Sequence, residues 1–477
     1  MKTERDAQKK IPYWSREDFG NSDDYRRRVH KYIPGGAHTY SKGDDQFPAL
    51  APAAIVRGKG GRVWDIDGHD YVDCSLGLGS VNLGHAYEPV VEAVRAQLYL
   101  GSSFQRPASI ELEFAEEFVA AIPGAERVKF AKNGSTVTTA AVKLARAFTG
   151  RDLVAFPGNH PFYSYDDWFM GKTLCSSGVP DAVKALTLTY DSTSPNSLQE
   201  LFDRYPGEIG CVITEPEEVI PQDPSILAEV ARIARHNGAV FVLDEMVSGY
   251  RAGWPGAYAR YGISADMVTW GKAVGNGFSF CALTGRADIM DLGGLKQNRV
   301  PRVFLISTTH GGEAHGVAAA RAVLKEYREN PVLERHGILV KTVATAMKKA
   351  AVDAGLHDAI GVYESPWRVV CVFRDSEGQV SSILRTLFMQ EMIRRGALFQ
   401  GLFLPCFMHS DEDIERLIDA FSCACEVYGV ALENGVRDML DGPVIPPVFR
   451  KYNGCGQSCP ATPCPREAEC RSISDIE

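Results

Sequence analysis

Four short runs of this chain are apolar on both faces: Leu153-Val154-Ala155-Phe156, Cys211-Val212-Ile213-Thr214, Ala239-Val240-Phe241-Val242-Leu243 and Met267-Val268-Thr269-Trp270. A strand with no polar face must be covered on both sides, and the stretches between these runs carry helical periodicity. The pattern therefore predicts an α/β fold in which a large, mostly parallel sheet is sandwiched by helices. Helices are expected over 110–121 and 137–148, separated by a strand at Val128-Lys129-Phe130-Ala131. Upstream, the run from Val63 to Asp73 alternates around Gly68 and reads as a hairpin. Downstream, a long helical region near 312–355 leads to a strand at Val369-Val370-Cys371-Val372-Phe373 and helices near 380–395 and 411–430. These last elements form a smaller α+β unit. The expected division is an N-terminal arm and small-domain segment (1–75), a large domain (76–325), a C-terminal small domain (326–440) and a Cys-rich tail (441–477).

Composition narrows the function classes. The chain has 477 residues, 45% of them hydrophobic and 23% charged, with a net charge of −9. These values are those of a globular protein, and the length suits roughly two to three domains. The acidic balance points away from nucleic acid, which selects basic surfaces. No apolar run approaches the ~20 residues of a spanning helix, so no membrane role is expected. The start, MKTERDAQKK, has no apolar core of the secretory kind, which makes a cytoplasmic location the expectation. The triplet Arg26-Arg27-Arg28 reads as a solvated helix face rather than an anion site.

The 12 cysteines divide unevenly. Cys74, Cys175, Cys211, Cys281, Cys371 and Cys406 are scattered singly and read as small core residues. Cys423 and Cys425 fall on an expected helix and do not share a face. Cys455, Cys459, Cys464 and Cys470 sit in the tail without the paired CxxC knuckles of a zinc site, so no metal is expected. The tail is read as flexible, with metal binding and redox pairing as the alternatives.

Three short segments carry chemistry. Asn133-Gly134-Ser135-Thr136 lies between an expected strand and helix, where small residues and free helix N–H groups make either a phosphate cup or an ordinary N-cap. Asp244 ends an apolar strand, the place where open α/β sheets bind ligands, and is either a helix cap or a functional carboxylate. Lys272 follows the run Met267–Trp270 and is flanked by Gly271 and Ala273, so its stem starts from the buried sheet. Lysines in such places acquire lowered pKa values and form Schiff bases. A lysine, a carboxylate and an anion cup together meet the needs of one cofactor, pyridoxal 5'-phosphate: a base for its aldehyde, a partner for its ring nitrogen and a seat for its phosphate. A dinucleotide-binding dehydrogenase is disfavoured because no GxGxxG opens a strand–helix unit; Gly275-Asn276-Gly277 reads as a turn after the lysine.

The segment Asp244-Glu245-Met246-Val247-Ser248-Gly249-Tyr250-Arg251, followed by Gly271-Lys272, resembles the signature of class III pyridoxal-phosphate aminotransferases, in particular the glutamate-1-semialdehyde 2,1-aminomutase-like branch. Further matches are Pro34-Gly35-Gly36, Asp65-Ile66-Asp67-Gly68, Leu83-Gly84-His85 and Leu144-Ala145-Arg146-Ala147-Phe148-Thr149-Gly150-Arg151, so the resemblance runs from about residue 33 to residue 430. It implies fold type I of the pyridoxal-phosphate-dependent transferases and a homodimer with shared active sites. By the same resemblance Lys272 is the cofactor-binding lysine and general base, and Asp244 is the ring-nitrogen partner. Met246 lies against the ring face, and Gly134, Ser135 and Thr136 hold the phosphate. Glu215, with Pro216, matches a Glu-Pro motif beside the ring. Thr308, in Ser307-Thr308-Thr309-His310-Gly311-Gly312, matches a Thr that reaches the neighbouring subunit's phosphate. The stacking residue is His160, with Phe162 as second choice.

Two departures bear on the substrate. The family's Phe-Glu-Ala-Gly-Phe reads Phe399-Gln400-Gly401-Leu402-Phe403 here, replacing a carboxylate with an amide. Lys42 falls near an Arg that grips the substrate carboxylate, and a Lys cannot make that bidentate clamp. Both argue against glutamate semialdehyde itself. The expectation is an aminotransferase that moves an amino group from a small-molecule donor to a small aldehyde or ketone acceptor. The alternatives are an intramolecular aminomutase and, outside catalysis, a cofactor-binding protein without turnover.

Overall fold

The computed structural model describes residues 11–159, 162–217, 223–298 and 300–450. His160 and the four tail cysteines lie outside these residues. The described chain forms two compact units, one of Gly79–Asn82 and Tyr87–Leu333, the other of the residues up to Leu78, Leu83–Ala86 and those from Glu334 onward.

The first unit is built on a seven-stranded sheet. Its order is Arg127–Ala131, Cys281–Gly285, Met267–Trp270, Val240–Asp244, Ile209–Thr214, Leu153–Pro157 and Thr187–Tyr190. Cys281–Gly285 runs antiparallel to both its neighbours, and the pairings from Met267–Trp270 to Thr187–Tyr190 are parallel. Every residue of Ile209–Thr214, Val240–Asp244 and Met267–Trp270 is buried, as expected for strands with helices on both faces. Helices Gly134–Thr149 and Pro224–His236 supply cover, each with a buried apolar stripe, and Ala314–Glu329 packs on helices Glu88–Leu100 and Ser109–Ala121. Trp270 is fully buried; its indole N–H donates to Thr284 Oγ1 (2.8 Å), and Phe118, Tyr250 and Tyr258 surround it edge-on.

The second unit carries two smaller sheets, Ile55–Lys59, Arg62–Asp65, Asp70–Asp73 and Ala397–Leu398 in one, Ile360–Ser365, Arg368–Phe373 and Leu402–Phe403 in the other. The expected hairpin is present, with Arg62–Asp65 antiparallel to Asp70–Asp73. Its turn is closed by Asp65, whose carboxylate accepts from the Asp67 and His69 amides and the Tyr71 hydroxyl. Helices Val332–Asp353, Ser382–Arg394 and Asp411–Asn434 pack a common core. Phe388 sits at its centre, its ring 4.7 Å from Phe373 and 4.9 Å from Phe421.

Several expectations shift in detail. The helix expected from 137 starts at Gly134, because Asn133 Oδ1 accepts the Thr136 amide and caps it earlier. The long region near 312–355 is two helices, Ala314–Glu329 and Val332–Asp353, parted at Asn330-Pro331, where proline cannot continue the helix. Cys74, Cys211, Cys281, Cys371, Cys406, Cys423 and Cys425 are buried, but Cys175 is exposed, since it falls in a loop rather than a strand. Arg27 and Arg28 are exposed and pair with Asp24, as a solvated helix face should, but Arg26 is part-buried, pairs with Asp23 and donates to the Ala51 carbonyl. Among the described residues no helix is long and apolar enough to cross a membrane.

The Phe388 cluster yields a direct test. Phe388→Ala should destabilise the protein by about 3–5 kcal/mol, because the surrounding rings cannot collapse into the vacated space. A fall in the urea midpoint checks it; an unchanged midpoint would contradict the packing.

Candidate functional site

Parallel strands align their carboxyl ends, and three adjacent ones each deliver an ionisable side chain at that edge. Glu215 follows Ile209–Thr214, Asp244 ends Val240–Asp244, and Lys272 follows Met267–Trp270. Thr214 is in register with Leu243, and Asp244 with Thr269. This edge is where open α/β sheets hold ligands.

Asp244 is buried and its Oδ1 accepts two hydrogen bonds, from Thr269 Oγ1 (2.7 Å) and from the Met246 amide (2.9 Å). Burial pushes its carboxyl up to about 6, and the Glu215 charge adds to that, while the two donors and Lys272 oppose it. Lys272 is half-buried, and burial lowers its amine from the ordinary lysine value against the attraction of Glu215 and Asp244. For both groups desolvation outweighs their mutual attraction, which is how an enzyme brings an acid and a base toward neutrality. The lysine also sits in the left-handed region, with φ of +46°. An L-residue there costs about 1–2 kcal/mol and persists only where its surroundings enforce it. The turn that follows, Lys272–Gly275, ends on Asn276 with φ of +42°.

Space at this edge is reserved by glycine. A Cβ on Gly271 would lie 2.3 Å from Met246 Sδ and 2.6 Å from Cys281 Sγ. A Cβ on Gly134 would meet the same Met246 side chain at 3.2 Å. Met246 thus packs between the start of helix Gly134–Thr149 and the segment that carries Lys272, and brings the expected anion cup to the lysine. Within the cup Asn133 Oδ1 accepts from both the amide and hydroxyl of Thr136 (2.9 and 3.1 Å), and Ser135 Oγ accepts from the Tyr165 amide (3.0 Å). The N-cap reading is therefore realised, with Gly134 and Ser135 supplying the first amides of a 16-residue helix. Those amides suit an anion, by their orientation and by the helix dipole.

Thr308 is exposed at the head of a turn closed by the Gly311 amide, which donates to the Thr308 carbonyl (3.1 Å). Phe162 is exposed, with its ring edge-on to Phe169. Lys42 and Gln400 belong to the other unit; Lys42 is exposed, and Gln400 Oε1 accepts from Ser75 Oγ (3.3 Å). Sequence reasoning missed Thr269, Cys281 and Tyr163, whose hydroxyl accepts the Glu215 amide (3.1 Å). It quoted Glu245 and Arg251 without a role. Glu245 is buried, burial pushes it to about 7, and it accepts from Ser248 Oγ (2.5 Å) and the Tyr258 amide (2.8 Å). Arg251 donates to the carbonyls of Val247 and Gly79, fixing the loop after Asp244. An acidic residue beside Asp244 was visible, but its inward direction was not.

The tight fit at Gly271 predicts that Gly271→Ala costs about 1–3 kcal/mol through overpacking. Adding Met246→Ala should recover part of the loss. Thermal unfolding of the single and double variants checks both, and equal transitions for wild type and Gly271→Ala would refute the contact.

The profile of the class-III aminotransferase family matches residues 40–358 of this chain. Glutamate-1-semialdehyde 2,1-aminomutases of Roseiflexus castenholzii and Methanothermobacter thermautotrophicus are each 31% identical, over 85% and 84% of this chain and 96% and 97% of theirs. Among solved structures, a transaminase with pyridoxal phosphate bound aligns with a TM-score of 0.78 at 24% identity, covering 87% of this chain and 98% of its own. The donor set fits that cofactor: a lysine of lowered pKa, a carboxylate whose Oδ2 accepts no hydrogen bond among the described residues, and the free amides at the start of helix Gly134–Thr149. This chain belongs to the class III aminotransferase family and is a pyridoxal-phosphate-dependent enzyme of that fold.

Proposed function

We propose that this enzyme moves an amino group on a small carbonyl compound, with Lys272 as the base that carries the proton and Asp244 as the partner of the cofactor's ring nitrogen. The observation that carries the reading is the pairing of strands Val240–Asp244 and Met267–Trp270, which sets Asp244 and Lys272 at one buried edge. Bound pyridoxal phosphate supplies an aldehyde for the amino group and a ring that, protonated at nitrogen, accepts the electron pair left when a proton departs.

Each residue's part follows from its surroundings. Lys272 Nζ, with its pKa lowered by burial, spends more of its time uncharged at neutral pH and can take a proton from a substrate carbon and return it. Asp244 keeps Oδ2 available to hold a proton on a cationic N–H, and Glu215 adds negative charge beside both. The amides of Gly134 and Ser135 bind the phosphate, with Thr136 beside them. Met246, wedged against Gly134 and Gly271, limits where a flat ring can lie. A homodimer belongs to this reading. Its support is the exposure of apolar side chains in the large-sheet unit, Tyr99 at 86%, Leu100 at 74% and Phe304 at 65%, the last near Thr308.

The names of the relatives favour an intramolecular transfer of the aminomutase type over the intermolecular transfer expected from the sequence. Gln400 and Lys42 support the second reading, transfer to a separate carbonyl acceptor. A site lacking the groups a substrate needs leaves buried polar atoms unpaired, a loss that reaches several kcal/mol.

Two measurements test the proposal. Borohydride treatment in the presence of pyridoxal phosphate should leave a pyridoxyl group on the peptide carrying Lys272. Lys272→Ala should remain folded without that label, and labelling elsewhere in the variant would refute the assignment. Incubation with glutamate semialdehyde alone separates the readings. Formation of 5-aminolevulinate at about 1 per second or faster establishes the aminomutase; no product until a separate donor and acceptor are added establishes the aminotransferase.

A further inference from the structure

Asp244 can serve a cationic ring nitrogen only if one carboxylate oxygen is ionised, correctly aimed and not used by the protein. Two donors decide this. The Met246 amide comes from the residue's own loop, and any side chain at 246 would supply it. The Thr269 hydroxyl comes from the neighbouring strand, where Thr269 lies in register with Asp244. Both donors fall on Oδ1, and among the described residues none falls on Oδ2. Thr269 is itself fully buried, and its carbonyl accepts the Glu245 amide (3.1 Å). Strand and side chain thus hold the start of the Asp244-Glu245 loop at two points.

We infer that Thr269 is a positioning residue for Asp244, holding the carboxylate by Oδ1 so that Oδ2 faces the cofactor in its ionised form. The inference rests on Asp244 as the ring-nitrogen partner. Two charged groups act on Asp244 besides these donors: Glu215, which disfavours its ionisation, and Lys272, which favours it. With burial and Glu215 both acting against the charge, the hydroxyl is one of the few groups that sustain it. Without that donor the Met246 amide is the remaining one of these two anchors, and the carboxylate is held less firmly and protonates more readily. Its pKa then rises, and the ionised form is lost at a higher pH than in the wild type.

The test compares Thr269→Val, Thr269→Ser and Asp244→Asn in the full chain, each checked for folding by circular dichroism. Equilibrium dialysis of pyridoxal phosphate across pH gives a readout independent of turnover. Thr269→Val has nearly the shape of threonine without its hydroxyl. It should weaken cofactor affinity on the order of tenfold, the loss expected for one hydrogen bond to a charged group, and move the acid limb of binding to higher pH. It should lower kcat with KM little changed. Thr269→Ser keeps the donor and should restore both the affinity and the acid limb. Wild-type affinity and pH profile in Thr269→Val, with Asp244→Asn impaired, would overturn the role of Thr269 alone. If Asp244→Asn also binds and turns over as the wild type does, the ring-partner reading falls, and this inference falls with it. Should Thr269→Val fail to fold, a shifted acid limb in Thr269→Ser would equally refute the hydroxyl as the anchor.

Discussion

The register between strands Val240–Asp244 and Met267–Trp270 is the constraint on which the rest of this site depends. It sets Asp244 opposite Thr269, and the chain then needs only Trp270 and Gly271 to bring Lys272 to the same edge. Sliding either strand by one residue would turn Asp244 or Thr269 to the other face of the sheet and undo the pairing. The buried cover on both faces, with Trp270 locked by Thr284 and a ring of aromatics, makes such a slip expensive.

Burial at that edge shapes the chemistry. The same loss of solvent that raises Asp244 to about 6 lowers Lys272, and Glu215 pushes Asp244 further up while holding Lys272 back. The lysine's left-handed backbone adds strain that only a rigid surrounding sustains, and the packing beside it leaves no room for a Cβ at Gly271. Stability in the well-packed sheet and in the Phe388 core offsets this local strain.

Much of the architecture was legible because it is written in local pattern. The doubly apolar runs marked the central strands, and the Gly68 turn marked the hairpin. The antiparallel strand Cys281–Gly285 and the edge strand Thr187–Tyr190 were not read, since short runs with Thr and Gly carry little periodicity. The early start of the helix at Gly134 depended on which side chain caps it, and Asn133 was only one of several eligible residues. Lys272, Asp244 and Gly134 could be singled out from their neighbours in sequence. Thr269 could not, because a threonine inside an apolar strand reads as ordinary packing until its cross-strand partner is known.

The sequence by itself determined which segments become strands and helices, where the strand ends fall, and that a lysine and an aspartate lie at two of those ends. Periodicity and residue type are local properties, and they suffice for that much. Only the tertiary structure decided that the two ends are neighbours, that Thr269 grips one oxygen of Asp244, and that Met246 and Cys281 close on Gly271. Those are contacts between residues distant in the chain. They follow from strand order, register and side-chain packing, which no local pattern encodes.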